Sequence, residues 1–273
     1  MTLPSFLLIG AMKAGTTTLY EELLHVGGIW LPPEKEPNDL AFEAVQTPEG
    51  LAAYRRKFDG CPPGVMAGDA STAYAKRPTY EGVAERARRL LGSEVKIIYM
   101  TRDPIRRIVS QYHHLWGLEL EQRPLNEAVL EDESYVAYSR YDWQLAPWRE
   151  TFGDENVLVV KFEDFLADRP AEFARICRFL GVEGAVQPSG THRNASEGAL
   201  VAVEGTLLGR ISTSHFYLYR IKPLLPRGLR DRIRSLILPK ARPMTEKLDY
   251  ATQKQLEAAL AGDAIAAGYL SVR

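Results

Sequence analysis

FLLIGAMKAGTTTLYEELL, residues 6–24, decides how the rest of the chain is read. Phe6–Ile9 is a short apolar run that ends at Gly10, and an amphipathic segment begins near Thr16. An apolar strand, a glycine-flanked turn and a helix, in that order, make an anion cradle, because the N–H groups of the turn and of the first helical turn point at one spot. The nucleotide-hydrolase form of this cradle reads G-x-x-x-x-G-K-[ST], with lysine directly after the second glycine. Gly10 and Gly15 keep that spacing, but Thr16 occupies the lysine position and the loop's lysine is Lys13. The loop is an anion cradle whose lysine stands three residues earlier than in that form.

Outward from this stretch, apolar runs recur at Val65–Ala67, Val95–Met100 and Val157–Phe162. Helical patterns lie between and around them, at Thr16–Leu24, Tyr80–Leu91, Pro104–Trp116, Tyr141–Phe152 and Pro170–Leu180. Near-continuous apolar strands alternating with helices predict a parallel sheet covered on both faces. The fold class expected is α/β, a P-loop-NTPase-like three-layer fold with a central, mostly parallel sheet flanked by helices. A last helix is expected over roughly Thr245–Ala267, after Pro243 and ending near Gly268. The 273 residues read as one domain, 1–273. Within it, 182–244 is expected to be a lid or acceptor-side loop followed by a basic helical segment, because 181–209 is poor in pattern and rich in Gly and Ser.

Composition excludes several classes. Apolar content of 45% and charged content of 25% are those of a globular protein. A net charge of −1 makes no case for nucleic acid. Cys61 and Cys177 lie far apart and fit no metal spacing, which favours a reduced, cytoplasmic setting. The chain runs directly into its first strand and holds no apolar stretch long enough to span a bilayer, so a soluble, unprocessed protein is expected. Charge is uneven, however: 210–242 carries nine Lys or Arg against Asp231 alone, interleaved with apolar residues. That stretch reads either as the solvated face of a core-packed helix or as a surface for an anionic acceptor, an amphiphile or a membrane face.

Ligands of open parallel sheets sit beyond the carboxyl ends of the strands. After Val95–Met100 comes TRDPIRRIVSQYHH, residues 101–114. Arg102 leaves the strand, Pro104 suits the first turn of a helix, and Ser110 follows two turns on. An arginine and a hydroxyl so placed can hold a second phosphate. Two phosphate sites at two strand ends point to a nucleotide with phosphates at both its 5′ and 3′ positions.

At this point the sequence resembles a known family. IGAMKAGTTTLYEEL looks like the 5′-phosphosulfate loop, and TRDPIRRIVSQYHH like the 3′-phosphate motif, of sulfotransferases that use 3′-phosphoadenosine 5′-phosphosulfate. The K-x-G-T-T form of the loop is nearest the bacterial and heparan-sulfate-type branch. EKEP at 34–37, GDASTAY at 68–74, VLVVKFEDFLADRP at 157–170 and RFLGV at 178–182 extend the resemblance over almost the whole chain. It implies a donor held by Lys13, Ala14, Gly15, Thr16, Thr17 and Thr18 and by Arg102 and Ser110 at the 3′-phosphate. Arg193, in His192-Arg193-Asn194, reads either as closing over the nucleotide or as part of a surface loop that does not touch it. Lys13 meets the charge that grows on the bridging oxygen as the 5′-phosphate leaves, and no metal is expected, because a sulfuryl group carries less negative charge than a terminal phosphoryl.

The resemblance also implies a base. Glu36 in LPPEKEPNDLAFE, residues 31–43, matches the catalytic glutamate of the glycan-modifying branch, with Lys35 a further candidate for holding the donor. The small-molecule branch uses histidine, which makes His113 or His114 the alternative base. Where heparan-sulfate members carry a lysine in the segment matching GDASTAY, this chain has Ala70. Asp69 and Ser71 beside it read either as shaping the acceptor site or as a buried cap. No histidine pair has the spacing and carboxylate context of a metal site. Trp30, Tyr112, Trp116, Tyr141, Trp143 and Trp148 read as core and cleft walls. The acceptor class implied is a glycan, lipid or secondary-metabolite hydroxyl, or an amine. Two other classes compete: an ATP-dependent small-molecule kinase, against which stand the missing loop lysine and the Arg102–Ser110 site, and a non-catalytic nucleotide- or lipid-surface-binding protein.

Overall fold

The computed structural model describes residues 2–183 and 246–271. Arg193 with its neighbours, the basic stretch 210–242 and nearly all of the expected lid lie outside those residues. Five strands form one sheet: β1 (Phe6–Gly10), β2 (Ile29–Trp30), β3 (Met66–Ala70), β4 (Lys96–Thr101) and β5 (Val157–Lys161). Their order is β2-β3-β1-β4-β5, and every pair is parallel. All five residues of β1 are buried. Successive side chains of a strand point to opposite faces, so the centre of the sheet is covered on both. This is the flanked parallel sheet that the apolar runs predict.

The helices that position the site are α1 (Thr16–Leu23), α2 (Pro48–Arg56), α3 (Val83–Leu91) and α4 (Pro104–Gly117). They are followed by α5 (Leu125–Glu131), α6 (Glu133–Ala137), α7 (Tyr141–Phe152), α8 (Phe162–Ala167) and α9 (Arg169–Leu180). Near the end of the chain come α10 (Tyr250–Leu260) and α11 (Ala264–Leu270). The single terminal helix expected from the apolar pattern is thus two. Asp263 starts the second by accepting the Ala266 N–H at 3.0 Å, and its other oxygen takes the Asp142 N–H at 2.8 Å. An N-cap that also tethers α7 stops one helix and begins another. β2, two residues long, has no periodicity to reveal it, and α5, α6 and α8 are short helices hidden in polar sequence.

Strand order assembles the site. The chain lays β2 and β3 on one side of β1 and then crosses to add β4 and β5 on the other. Leu8 of β1 pairs with Ala70 of β3, and Gly10 with Tyr99 of β4. The carboxyl ends of β3, β1 and β4 therefore stand side by side, at the switch point where open sheets hold ligands.

Candidate active site

The loop after β1 is shaped by close packing. A Cβ on Gly15 would lie 2.3 Å from the Phe162 ring, and the residue sits at φ 91°, so only glycine fits there. Gly15 caps α1 without any side-chain hydrogen bond, which leaves the first N–H groups of the helix pointing out of its end. Ala14 is different: its methyl is buried and its N–H donates to Ala11 at 3.1 Å, inside the loop. Thr16 is buried, Thr17 exposed and Thr18 half-buried, with the Thr18 N–H donating to Gly15 at 3.0 Å. Lys13 has a left-handed backbone, φ 67°. Burial lowers its pKa from the ordinary lysine value, and the charges of Arg102 and Lys35 lower it further. A polyanion seated on the loop would oppose all three by favouring the charged ammonium.

Glu36 comes to this place from the β3 side. Its N–H donates to the Ala70 carbonyl at 3.0 Å, at the very end of β3. One carboxylate oxygen accepts from Lys35 Nζ at 2.8 Å, and both accept from the Thr72 hydroxyl, at 3.0 and 3.1 Å. Burial works to raise the Glu36 pKa, but Lys35, Thr72 and the nearby charge of Lys76 outweigh it and hold the carboxyl below its usual value. At neutral pH it is a carboxylate. Glu36 (φ 64°) and Asn38 (φ 62°), like Lys13, are left-handed. Among the described residues four non-glycine positions have positive φ, and three of them are here. Each costs about 1–2 kcal/mol, and such strain concentrates where function imposes a geometry.

Asp69 and Ser71 form the buried cap, and what they cap is the Glu36 loop. Ser71 Oγ donates to Asp69 at 2.7 Å and accepts the Asn38 N–H at 3.0 Å. Tyr54 and Tyr74 donate to the other Asp69 oxygen at 2.8 and 2.7 Å, and the Tyr74 hydroxyl accepts the Leu40 N–H at 3.4 Å. Neither Asp69 nor Ser71 is exposed at all, so neither can touch an acceptor directly. Desolvation pushes the Asp69 pKa up to about 6, against the pull of its three hydroxyl donors, with the charge of Asp39 adding to the rise. An acid whose pKa is higher folded than unfolded binds more protons in the native state. Its contribution to stability is then fullest below about pH 4 and is lost as the pH rises through about 6. Asp69→Asn removes this titration. In urea unfolding, wild type should lose about 2–3 kcal/mol relative to the variant between about pH 4 and pH 7; a constant difference would show that the carboxyl does not titrate there.

On the β4 side, the Arg102 guanidinium donates to the Lys13 carbonyl at 3.2 Å and lies over the Phe162 ring. The Arg102 carbonyl is fixed by the Tyr141 hydroxyl at 2.6 Å. Ser110 lies on α4, about 9 Å along the axis from Pro104, half-buried and with no hydrogen bond to Arg102. Lys13 and Arg102 are thus in contact, whereas Arg102 and Ser110 would meet only across a ligand. Arg107, unremarked in the sequence, is fully buried with neutral partners: Ser139 at 2.6 Å, Gln111 at 2.8 Å and the Tyr135 carbonyl at 2.7 Å. The Nη1 that reaches Gln111 also faces the Met12 carbonyl at 3.5 Å, which ties α4 and α6 to the loop.

Both histidines of α4 border the site. His113 has a buried Nε2 without a partner, and burial and the charge of Lys13 lower its pKa. For His114, desolvation, Lys13 and Lys76 bring the pKa down to about 4, with Glu36 opposing them. Among the described residues no three His, Cys, Asp or Glu come together as metal ligands, and no helix is long and apolar enough to cross a membrane. Tyr112, Tyr141 and Trp148 are core, as expected, while Trp143 lies under the Arg77 guanidinium. Sequence reasoning missed Thr72, Arg107 and Lys76. Thr72 and Arg107 stood inside the quoted GDASTAY and TRDPIRRIVSQYHH, whereas Lys76 carries no motif signal.

Comparison with known proteins bears on the family and the fold. A family model described as the sulfotransferase domain matches residues 3–196. Human heparan sulfate glucosamine 3-O-sulfotransferase 6 is 29% identical over 71% of this chain and 57% of its own length. Mouse heparan sulfate glucosamine 3-O-sulfotransferase 3B1 is 27% identical over 72% of this chain. The chain spans about half the length of that protein, 50%. Among solved structures, the sulfotransferase from Alicyclobacillus acidocaldarius superposes with a TM-score of 0.68 at 23% identity, covering 100% of this chain and 97% of that one. It shares the fold. With a family model spanning most of its length and the fold of a solved sulfotransferase, the chain belongs to the sulfotransferase domain family.

Proposed function

We propose that the chain moves a sulfuryl group from 3′-phosphoadenosine 5′-phosphosulfate onto a hydroxyl, or an amine, of a glycan, lipid or secondary-metabolite acceptor. The observation that carries this reading is the convergence of Lys13 and Glu36, both held in left-handed backbone, at the adjoining ends of β1 and β3. Relatives named for O-sulfation of heparan sulfate glucosamine favour a sugar hydroxyl within that range.

The residues divide the work. The outward N–H groups of α1 and the threonines after Gly15 hold the 5′ end of the donor, and Arg102 with Ser110 holds its 3′-phosphate. Glu36 takes the acceptor's proton while the acceptor oxygen forms its bond to sulfur. The bond from sulfur to the bridging oxygen breaks with its electron pair, and Lys13 faces the charge left there. Protonation of Glu36 and departure of the nucleotide bisphosphate balance the step.

Arg102 provides the test of the donor assignment. Arg102→Ala should weaken adenosine 3′,5′-bisphosphate binding about 10- to 150-fold, because a charge-assisted hydrogen bond contributes roughly 1.5–3 kcal/mol. Calorimetry without added metal measures it. Equal affinity of the wild type for adenosine 5′-phosphate would end the 3′-phosphate assignment.

A further inference from the structure

Lys76 follows a single 3-10 turn, Thr72–Ala75, that hangs from the end of β3. Two contacts fix where this turn lies. Thr72 holds both Glu36 oxygens, and the methyl of Ala75 is so near β1 that a Cβ on Gly10 would stand 3.3 Å from it. The turn therefore spans from the Glu36 carboxylate to the head of the phosphate loop, and Lys76 follows it at that end. Its carbonyl accepts from Tyr80 N–H at 3.1 Å, which fixes the backbone there.

The other cations nearby are committed. Lys35 pairs with Glu36 at 2.8 Å, Arg102 is bonded to the Lys13 carbonyl, and Arg107 is buried among neutral acceptors. Lys13 belongs to the loop that the proposed function gives to the donor. The Lys76 ammonium is half-buried and, among the described residues, has no ion pair of its own. It feels burial first, then the charges of Glu36, Arg107 and Lys35, and it acts in turn on Glu36 and His114. The strand end beside it offers only the methyl of Ala70.

We propose that Lys76 is a catalytic cation on the acceptor side of the site, donating to the non-bridging sulfuryl oxygens as sulfur passes from the donor's phosphate to an acceptor oxygen held at Glu36. This rests on the sulfuryl-transfer reading above. The new bond forms from the acceptor oxygen to sulfur, the old one breaks to the bridging phosphate oxygen, and the acceptor's proton goes to Glu36. The three non-bridging oxygens share one negative charge, and as sulfur moves toward the acceptor they approach the Lys76 side, while Lys13, in the division of work proposed above, serves the bridging oxygen. A half-buried ammonium on the opposite side stabilises that charge more than water would.

The test uses the full chain and Lys76→Met, with Lys76→Gln as a polar second variant and Lys76→Arg as the conservative one. Turnover of sulfur-labelled 3′-phosphoadenosine 5′-phosphosulfate, with water as acceptor, is measured beside the affinity for adenosine 3′,5′-bisphosphate. Removing one such donor should lower turnover at saturating donor by ~10². Nucleotide affinity should stay within about threefold, and Lys76→Arg should recover most of the rate. Turnover of both neutral variants within about threefold of wild type, while Lys13→Ala and Glu36→Gln are slow, overturns the role of Lys76 and leaves the site reading standing. Nucleotide affinity that falls as far as turnover also overturns it, because Lys76 would then be a donor ligand. Unchanged turnover in all these variants, Lys13→Ala and Glu36→Gln included, would overturn the sulfuryl-transfer reading itself.

Discussion

Lys13→Ala is expected to lower sulfuryl-transfer turnover by ~10²–10³, the usual effect of removing one preorganised donor from a developing charge. The fold should survive. Lys13 is partly exposed, its left-handed conformation is no better suited to alanine than to lysine, and its carbonyl, which Arg102 holds, is kept in the variant. Arg102 is thereby the control. A variant that loses turnover while keeping most of its affinity for adenosine 3′,5′-bisphosphate locates the loss in the leaving-group step. Near-normal turnover would mean that the bridging oxygen is stabilised from elsewhere, Arg102 being the nearest cation bonded to the same loop. Near-ultraviolet circular dichroism and the thermal midpoint, measured on the same preparation, separate a chemical loss from an unfolded loop.

How much of this was legible in the sequence depended on whether a signal was local. The strand–turn–helix at residues 6–24 could be read outright, since apolar run, glycines and amphipathic helix are adjacent, and Arg102 could be read from its place between an apolar run and Pro104. Glu36 could be singled out only by resemblance. Nothing in LPPEKEPNDLAFE distinguishes it from Glu34 or Glu43, and its position is set by a backbone bond to Ala70 and side-chain bonds to Thr72, 34 and 36 residues away. Asp69 was ambiguous for the same reason: a buried carboxylate looks like an active-site one until its three hydroxyl donors are seen. Lys76 was silent, and Arg107, though inside TRDPIRRIVSQYHH, gave no sign of its place, because the importance of both comes from where β1, β3 and α4 meet. The terminal helix break could have been found. Gly262-Asp263 is a stop followed by an N-cap residue, but the apolar period continues across it with little change of phase.

Mechanism turns on Glu36, and Glu36→Gln isolates its basicity. The amide keeps the side chain's shape, and it can still accept from Thr72 and from Lys35, so the loop held by Ala70 and Ser71 should stay in place. Donor affinity should therefore be preserved and turnover fall by ~10²–10⁴, the share general acid–base catalysis usually supplies. The carboxyl lies below its usual pKa, so the base is already ionised at neutral pH, and its limb of the pH–rate profile should rise only in the acid range and be flat above it. His114 makes the comparison a sharp one, because it borders the same carboxylate and is itself neutral at pH 7, its pKa brought down to about 4. Both groups are thus deprotonated where the enzyme would work, and the pH profile cannot tell them apart. Substitution can. A histidine base predicts a mild Glu36→Gln and a severe His114→Ala or His113→Ala, with the donor saturated and product sulfate counted directly. Glu36→Gln within about threefold of wild type under those conditions is under 1 kcal/mol of barrier and would end the glutamate hypothesis.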